Sequence, residues 1–415
     1  MNWTDDAAWA ATRRPLRSAT GLPPGAYTSS DYFDVEQQRV FEQAWVGIGV
    51  ADELHDSDRL LVRRVGSRSI IVTRNAGGEL RGFVNACRHR GTELAADDCP
   101  VAGTIRCPYH RWGYSRDGDL IATPFFDTER RDDFDRSDFG LVPVRVDVWG
   151  GLLFACMSDT TPPLGVWLGD LPERMAGYGL ASWVSAHEQS LDIEANWKLV
   201  SENFQEYYHL TWVHPELAKV SRVADHYRYQ GYGMYCGQTT TPVSGDQRDE
   251  WLALPPAPGL DASDAVSGRF VAIFPNVILS VLPNHAWVMR LDPVAPGVTR
   301  ETCTMLLPPT TAPTTDAVVA PTLAFWRDVN AEDIDIVERG QRGLARGAVA
   351  AGPLAPRFEE PIHRFHNMLA DCITRDGLAA LAVPAGDDPS SVTDRRGTGP
   401  NPRPAAIDLR TPITH

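Results

Sequence analysis

The sequence predicts an α+β protein, with an all-β module over residues 39–160 followed by a mixed domain of strands and helices over residues 161–382. Three observations carry this. Short β-branched runs punctuated by turn residues fill the first stretch, and longer runs at helical spacing alternate with strand-like runs in the second. The chain of 415 residues is also 43% apolar with 12 Trp, 14 Phe and 11 Tyr, enough to bury more than one core.

The elements follow in order. Ala44–Val50, Arg59–Val65 and Ser69–Thr73 are strand-like, and Asn75-Ala-Gly-Gly reads as a turn before Leu80–Ala86. Val142–Trp149 alternates with period two, and Gly150-Gly151 leads into the apolar run Leu152–Met157. Thr160-Thr-Pro-Pro marks a boundary. Beyond it, Asn196–Leu210 reads as a helix, Val271–Leu282 and Ala286–Leu291 as strands, and Thr322–Leu344 and Glu359–Cys372 as helices. From Val383, Pro, Gly, Asp and Arg dominate, so residues 383–415 are expected to form a loosely ordered tail.

Charge excludes some functions. With 54 acidic and 39 basic residues, the net charge of −15 argues against nucleic acid as a partner. The longest apolar run, Leu152–Met157, is far short of the ~20 residues that span a bilayer. The start, Met1-Asn-Trp-Thr-Asp-Asp, lacks the features of a signal peptide, so a cytoplasmic location is expected. Of seven cysteines, Cys99, Cys156, Cys236, Cys303 and Cys372 read as small buried hydrophobes.

The other two differ. Cys87-Arg-His89 is followed seventeen residues later by Cys107-Pro-Tyr-His110. Two loops thus bring one thiolate and one imidazole each. Zinc also uses two Cys and two His, but its usual spacing pairs like with like. A two-iron, two-sulfur cluster with thiolates on one iron and imidazoles on the other suits the doublet better, and neutral His in place of anionic Cys raises its reduction potential.

A second group lies in Asn196–Pro215. His209 and His214 are five positions apart, which on a regular helix sets them about 140° from one another. Chelation by both requires the helix to end or loosen between them, and Pro215 marks where helix stops. Two solvent-facing histidines would explain the spacing equally well. In the later helix, Trp326, Val329, Asp333 and Ile336 share a face, while Glu332 and Asp335 point elsewhere. A carboxylate in an apolar stripe requires a partner, either a metal ion or an arginine. Two His and one carboxylate form the facial triad of non-haem Fe(II).

Cys87-Arg-His-Arg-Gly91 and Cys107-Pro-Tyr-His-Arg-Trp-Gly-Tyr-Ser-Arg-Asp-Gly118 resemble the cluster loops of Rieske non-haem iron oxygenases. Glu206-x-x-His209-x4-His214-Pro and Glu332-Asp-Ile-Asp-Ile-Val-Glu338 resemble the catalytic motifs of that family. The position after His110, commonly Gly in the family, is Arg111 here, a departure that bears on the outer surface or docking and not on ligation. The resemblance implies an all-β Rieske [2Fe-2S] domain held by Cys87, His89, Cys107 and His110, and a catalytic domain with an antiparallel sheet flanked by helices. Residues 1–38 would pack on the catalytic domain. By carry-over, His209, His214 and Asp333 hold the mononuclear Fe(II). Glu206 takes the place of the bridging carboxylate in a head-to-tail homotrimer, on a path from His110 to Glu206 to His209.

The implied chemistry is reductive activation of O2, with electrons from NAD(P)H through a separate ferredoxin or flavin reductase, since no dinucleotide fingerprint is present. The stretches Phe325–Asp333, Gln341-Arg-Gly-Leu and Gly352–Phe365, with Glu at 206, lean toward the branch that hydroxylates or demethylates quaternary amines such as betaines and carnitine. Tyr207, Tyr208, Trp212, Tyr232, Phe274 and Trp287 are candidates for an aromatic cage around the cation. The alternatives are an aromatic ring-hydroxylating dioxygenase alpha subunit and a Rieske electron carrier without oxygenase activity.

Overall fold

The computed structural model describes residues 1–56, 58–126, 133–221, 223, 226–229, 233–240, 254–309, 316–347, 349–375, 382–384 and 406–408. The chain divides into two compact units: Phe41–Asp159, and Met1–Val40 together with the residues from Thr160 onward.

The smaller unit is all β. Strands β1 (Val46–Val50), β2 (Arg59–Val65), β3 (Arg68–Arg74), β4 (Leu80–Val84), β5 (Cys99–Pro100), β9 (Pro143–Trp149) and β10 (Leu152–Cys156) form one sheet in the order β1-β10-β9-β4-β3-β2-β5. A three-stranded sheet of β6 (Ile105–Arg106), β7 (Gly113–Tyr114) and β8 (Leu120–Ala122) carries one of the two Cys-His loops. Gly150 and Gly151 both have positive φ, 59° and 78°, and close the β9–β10 hairpin in the two-residue form whose twist matches the strands. The core joins Leu60, Ile71 and Phe83 of the large sheet to Ile105, Trp112 and Leu120 around the loops.

The larger unit holds a seven-stranded antiparallel sheet in the order β11-β17-β16-β15-β14-β13-β12. Its strands are β11 (Val184–Ile193), β12 (His226–Tyr229), β13 (Tyr235–Thr240), β14 (Gly268–Ile273), β15 (Val277–Val281), β16 (Ala286–Ala295) and β17 (Val298–Leu307). The single strand expected at Val271–Leu282 is in fact two, β14 and β15, folded back so that Ile273 pairs with Val277. β15 is buried throughout and β14 at every position but Phe270, so the turn at Pro275 interrupts what reads as one apolar run. Strand β11 was not legible: it pairs only with β17 at the sheet edge, and its exposed side alternates polar residues.

Four helices matter for the site: α1 (Trp197–Gln205), α2 (Leu210–Val213), α3 (Asp316–Ala345) and α4 (Glu360–Thr374). Helix α1 touches α3 on one side and β13, β14 and β16 on the other. The N-terminal segment braces α1. Tyr27 donates its hydroxyl to Glu202 Oε1 at 2.8 Å, and Lys198 Nζ meets Glu36 Oε1 at 2.7 Å with both side chains buried. Among the described residues, no helix is long and apolar enough to cross a membrane. The expected tail falls almost wholly outside the described residues.

Candidate functional site

In the smaller unit, the two Cys-His loops have the same backbone design. The Cys87 N–H donates to Thr92 O and the Gly91 N–H to Cys87 O, both at 2.8 Å; the Cys107 N–H donates to Trp112 O at 2.9 Å and the Arg111 N–H to Cys107 O at 3.2 Å. Cys87 and Cys107 are buried, and the rings of His89 and His110 lie 4.7 Å apart, edge to face, with His89 stacked on Trp112. Burial, then the charges of His110 and Arg90, hold His89 below its ordinary pKa and so favour the neutral imidazole that ligates metal. Two buried thiols and two outward imidazoles fit a two-iron cluster. Tyr114 completes the surroundings: its oxygen accepts the Arg88 N–H at 3.0 Å and lies 3.2 Å from Cys87 Sγ.

In the larger unit, Asn196 caps α1 by accepting the Lys198 N–H, and the helix ends at Gln205. Glu206 turns extended, with φ −127° and ψ 165°, and its carboxylate takes the backbone N–H groups of Tyr208 and His209. That satisfies donors at the start of the next short helix. The helix expected through Leu210 therefore breaks before His209. His209 precedes α2, and His214 follows it with φ −117° and ψ 69°. This break lets both rings face one point: their centroids are 5.2 Å apart.

The third donor comes from α3. Ligand atoms of His209, His214 and Asp333 all lie within 4.8 Å of one another. Asp333 Oδ1 is 2.8 Å from His214 Nε2, 3.6 Å from His209 Nε2, and accepts Asn203 Nδ2 at 2.6 Å. Each imidazole is held from behind by a carboxylate: Glu206 Oε1 is 2.5 Å from His209 Nδ1, and Glu332 Oε2 is 2.7 Å from His214 Nδ1. For His214, burial disfavours the charged form, but the hydrogen bonds and charges of Asp333 and Glu332 outweigh it and raise the pKa. In the neutral tautomer that donates Nδ1–H to these carboxylates, each ring would offer its Nε2 lone pair to a metal, and the donor set suits non-haem Fe(II).

Two expectations for α3 need correction. Glu332 does not point away from the site, since it holds His214. The stripe through Asp333 is not wholly apolar and buried: Asp333 is part-exposed, beside Asn203 and His214, and Ile336 is exposed where Val337 is buried. Helical period assigns one face to one partner, whereas an imidazole has two nitrogens facing different ways and engages two successive residues.

A cavity of about 90 Å³ opens at the triad. Its aromatic lining is Phe204, Tyr207, Phe270, Trp287, Phe325 and Trp326. Trp287 and Trp326 stack 6.1 Å apart and nearly parallel, and Trp326 Nε1–H donates to His285 Nε2 at 2.7 Å. Of the expected cage residues, Tyr207 and Trp287 line the cavity, Tyr208 and Trp212 are exposed, and Phe274 is buried against Trp167 and Phe365. Tyr232 lies outside the described residues. Phe204, Phe270, Phe325 and Trp326 were missed as lining because they come from separate helices and strands, with no local pattern to join them.

Residues 44–137 match the family model described as Rieske [2Fe-2S] domain, and residues 180–375 match ring hydroxylating alpha subunit (catalytic domain). The chain is 27% identical over 389 residues to the glycine betaine monooxygenase oxygenase subunit of Pseudomonas aeruginosa, covering 86% of this chain and 90% of the relative. It is 28% identical over 371 residues to the carnitine monooxygenase oxygenase subunit of Escherichia coli, covering 85% and 94%. Its structure is similar to that of the quaternary ammonium Rieske monooxygenase CntA in complex with L-carnitine, with TM-score 0.73 and 25% identity over 87% of this chain and 97% of that one.

Proposed function

The chain belongs to the Rieske non-haem iron oxygenases as an oxygenase subunit, and from that premise we propose that it hydroxylates or oxidatively demethylates a small quaternary amine. The observation that carries this reading is the meeting of His209, His214 and Asp333 at one end of a cavity walled by aromatic faces. Aromatic faces attract a cation that cannot hydrogen-bond. A reading as a bare electron carrier is overturned, because the catalytic domain is present.

Cys87, His89, Cys107 and His110 would hold the [2Fe-2S] cluster, and His209, His214 and Asp333 the mononuclear iron. When bound, these groups supply single electrons and activate dioxygen. The chain's own residues prepare the site. Asn203 fixes the Asp333 carboxylate, Glu206 and Glu332 set the two imidazoles, and the stacked Trp287 and Trp326 exclude water and orient the substrate cation. A separate electron-donor protein serves the oxygenase subunit, and we take it to be an NAD(P)H-dependent reductase.

We also propose a head-to-tail homotrimer in which His110 of one copy approaches Glu206 of the next. Among the described residues, the exposed aromatic side chains lie in two groups: Tyr109 and Phe125 with the cluster loops, and Tyr208 and Trp212 with Glu206 and His209. Exposed aromatics concentrate at interfaces, and one kind of face meeting another builds a ring. The cytoplasm is the compartment we propose, in keeping with seven unbridged cysteines.

The test is substrate-dependent NADH and O2 consumption by the reconstituted enzyme, with glycine betaine, carnitine and choline beside benzoate and naphthalene. Stimulation by the quaternary amines, with one oxygen added or formaldehyde released, supports the reading. Stimulation by flat aromatics alone, with a cis-diol product, replaces it with a ring-hydroxylating dioxygenase.

A further inference from the structure

Glu332 and Asp333 are consecutive, yet they address opposite nitrogens of one ring. Asp333 Oδ1 lies 2.8 Å from His214 Nε2 and Glu332 Oε2 lies 2.7 Å from His214 Nδ1. The His214 side chain is buried at 2% exposure, whereas that of Glu332 is 43% exposed. Among the described residues, Glu332 makes no other ion pair or side-chain hydrogen bond, unlike its neighbours Asp335 and Glu338, which pair with Arg339 and Arg342 along the helix. A carboxylate that engages one buried imidazole and nothing else has its role defined by that imidazole.

We propose that Glu332 is the positioning residue of the metal site, fixing the tautomer and ring orientation of His214. This rests on the reading of His214 as an iron ligand. A neutral imidazole has one N–H, and donating it from Nδ1 to Glu332 leaves the Nε2 lone pair facing Asp333 and the metal. Without the carboxylate, the ring is free to protonate Nε2 or to rotate, and either state removes a ligand before metal arrives. Glu206 serves His209 in the same manner but lies on the proposed path between copies, so its loss affects two properties together. Glu332 isolates one. Its partial exposure keeps the cost of maintaining a charge there low, because water still solvates the outer carboxylate oxygen.

Outer carboxylates of this kind are worth about 10–100-fold in metal affinity. The experiment compares the parent holoprotein, E332Q and E332A by titration with a ferrous chelator, following mononuclear iron released per chain, the visible absorption of the [2Fe-2S] cluster and the thermal midpoint. E332A is expected to release its mononuclear iron at about 10–100-fold lower chelator concentration with cluster absorption unchanged. E332Q should fall between the two, because its amide oxygen still accepts the Nδ1–H without the charge. Equal chelator sensitivity of all three proteins would overturn the proposal, as would equal losses in E332Q and E332A. His214→Ala separates the two readings. If it keeps full iron, the assignment of the ligand itself fails; if it loses iron while E332A does not, only the role given to Glu332 fails.

Discussion

Arg111 occupies in its loop the place that Gly91 holds in the other. Each is the fourth residue after the loop cysteine, each donates its N–H to that cysteine's carbonyl, and each has positive φ, 61° for Arg111 and 71° for Gly91. A side chain in the left-handed region costs roughly 1–2 kcal/mol that glycine does not incur. Arg111→Gly is therefore expected to stabilise the holoprotein, by about 1 kcal/mol or less once the looser unfolded chain is counted. Denaturant unfolding measures this, and a less stable variant would show that the guanidinium makes a compensating contact.

The Tyr114 hydroxyl accepts the Arg88 N–H, so its own proton is free for Cys87 Sγ. Hydrogen bonds to cluster sulfurs stabilise the more negative, reduced state. Tyr114→Phe should keep the cluster's visible absorption and lower its midpoint potential. About 1 kcal/mol of differential bonding corresponds to roughly 40 mV for one electron. A redox titration followed by circular dichroism reads the shift; an unchanged potential would count against the bond.

His285 is fully buried behind the cavity wall, with Nδ1 2.7 Å from Asn284 Oδ1 and Nε2 accepting Trp326 Nε1–H. Burial pushes its pKa down to about 3. The unfolded chain takes up a proton below about pH 6.5 that the folded chain refuses. Stability is thus fully present above pH 6.5 and is lost as the pH falls toward 3, by about 1.4 kcal/mol per pH unit from this group. Unfolding of the parent and of His285→Gln at pH 7.5, 6 and 5 should give curves that converge as the pH falls. Parallel curves would mean that His285 does not contribute.

Glu206→Gln preserves an acceptor for His209 Nδ1 but removes the charge. Both metal centres should still load, the mononuclear iron less tightly than in the parent as in E332Q, while multiple turnover per bound iron with the native reductase falls by about tenfold or more. Full turnover would exclude Glu206 from the path between copies. Turnover that falls only in proportion to lost iron would instead assign it a holding role alone.

Cys87, His89, Cys107 and His110 were legible because each loop closes within a few residues, so the spacing in sequence is already the spacing of donors in space. His209 and His214 were half legible. Pro215 announced the end of the helix, but Glu206 breaks it earlier by taking backbone N–H groups with its side chain. The antiparallel sheet was expected only through the resemblance, and its edge strand β11 was lost because half-exposed strands carry little apolar signal.

By itself, then, the sequence pointed to a two-iron cluster through the spacing of Cys87, His89, Cys107 and His110, while the mononuclear iron and the reaction class followed from the resemblance of its motifs to a family, because the spacing of His209 and His214 alone left them open. The fold alone decided which residues line the cavity and how the rings are aimed. Asp333 and Glu332 reach His214 across more than a hundred residues of chain, and Phe270, Trp287 and Trp326 meet only once β14, β16 and α3 pack together. Tertiary contacts of that kind arise from burying whole faces against one another, and no short window of sequence records which faces will meet.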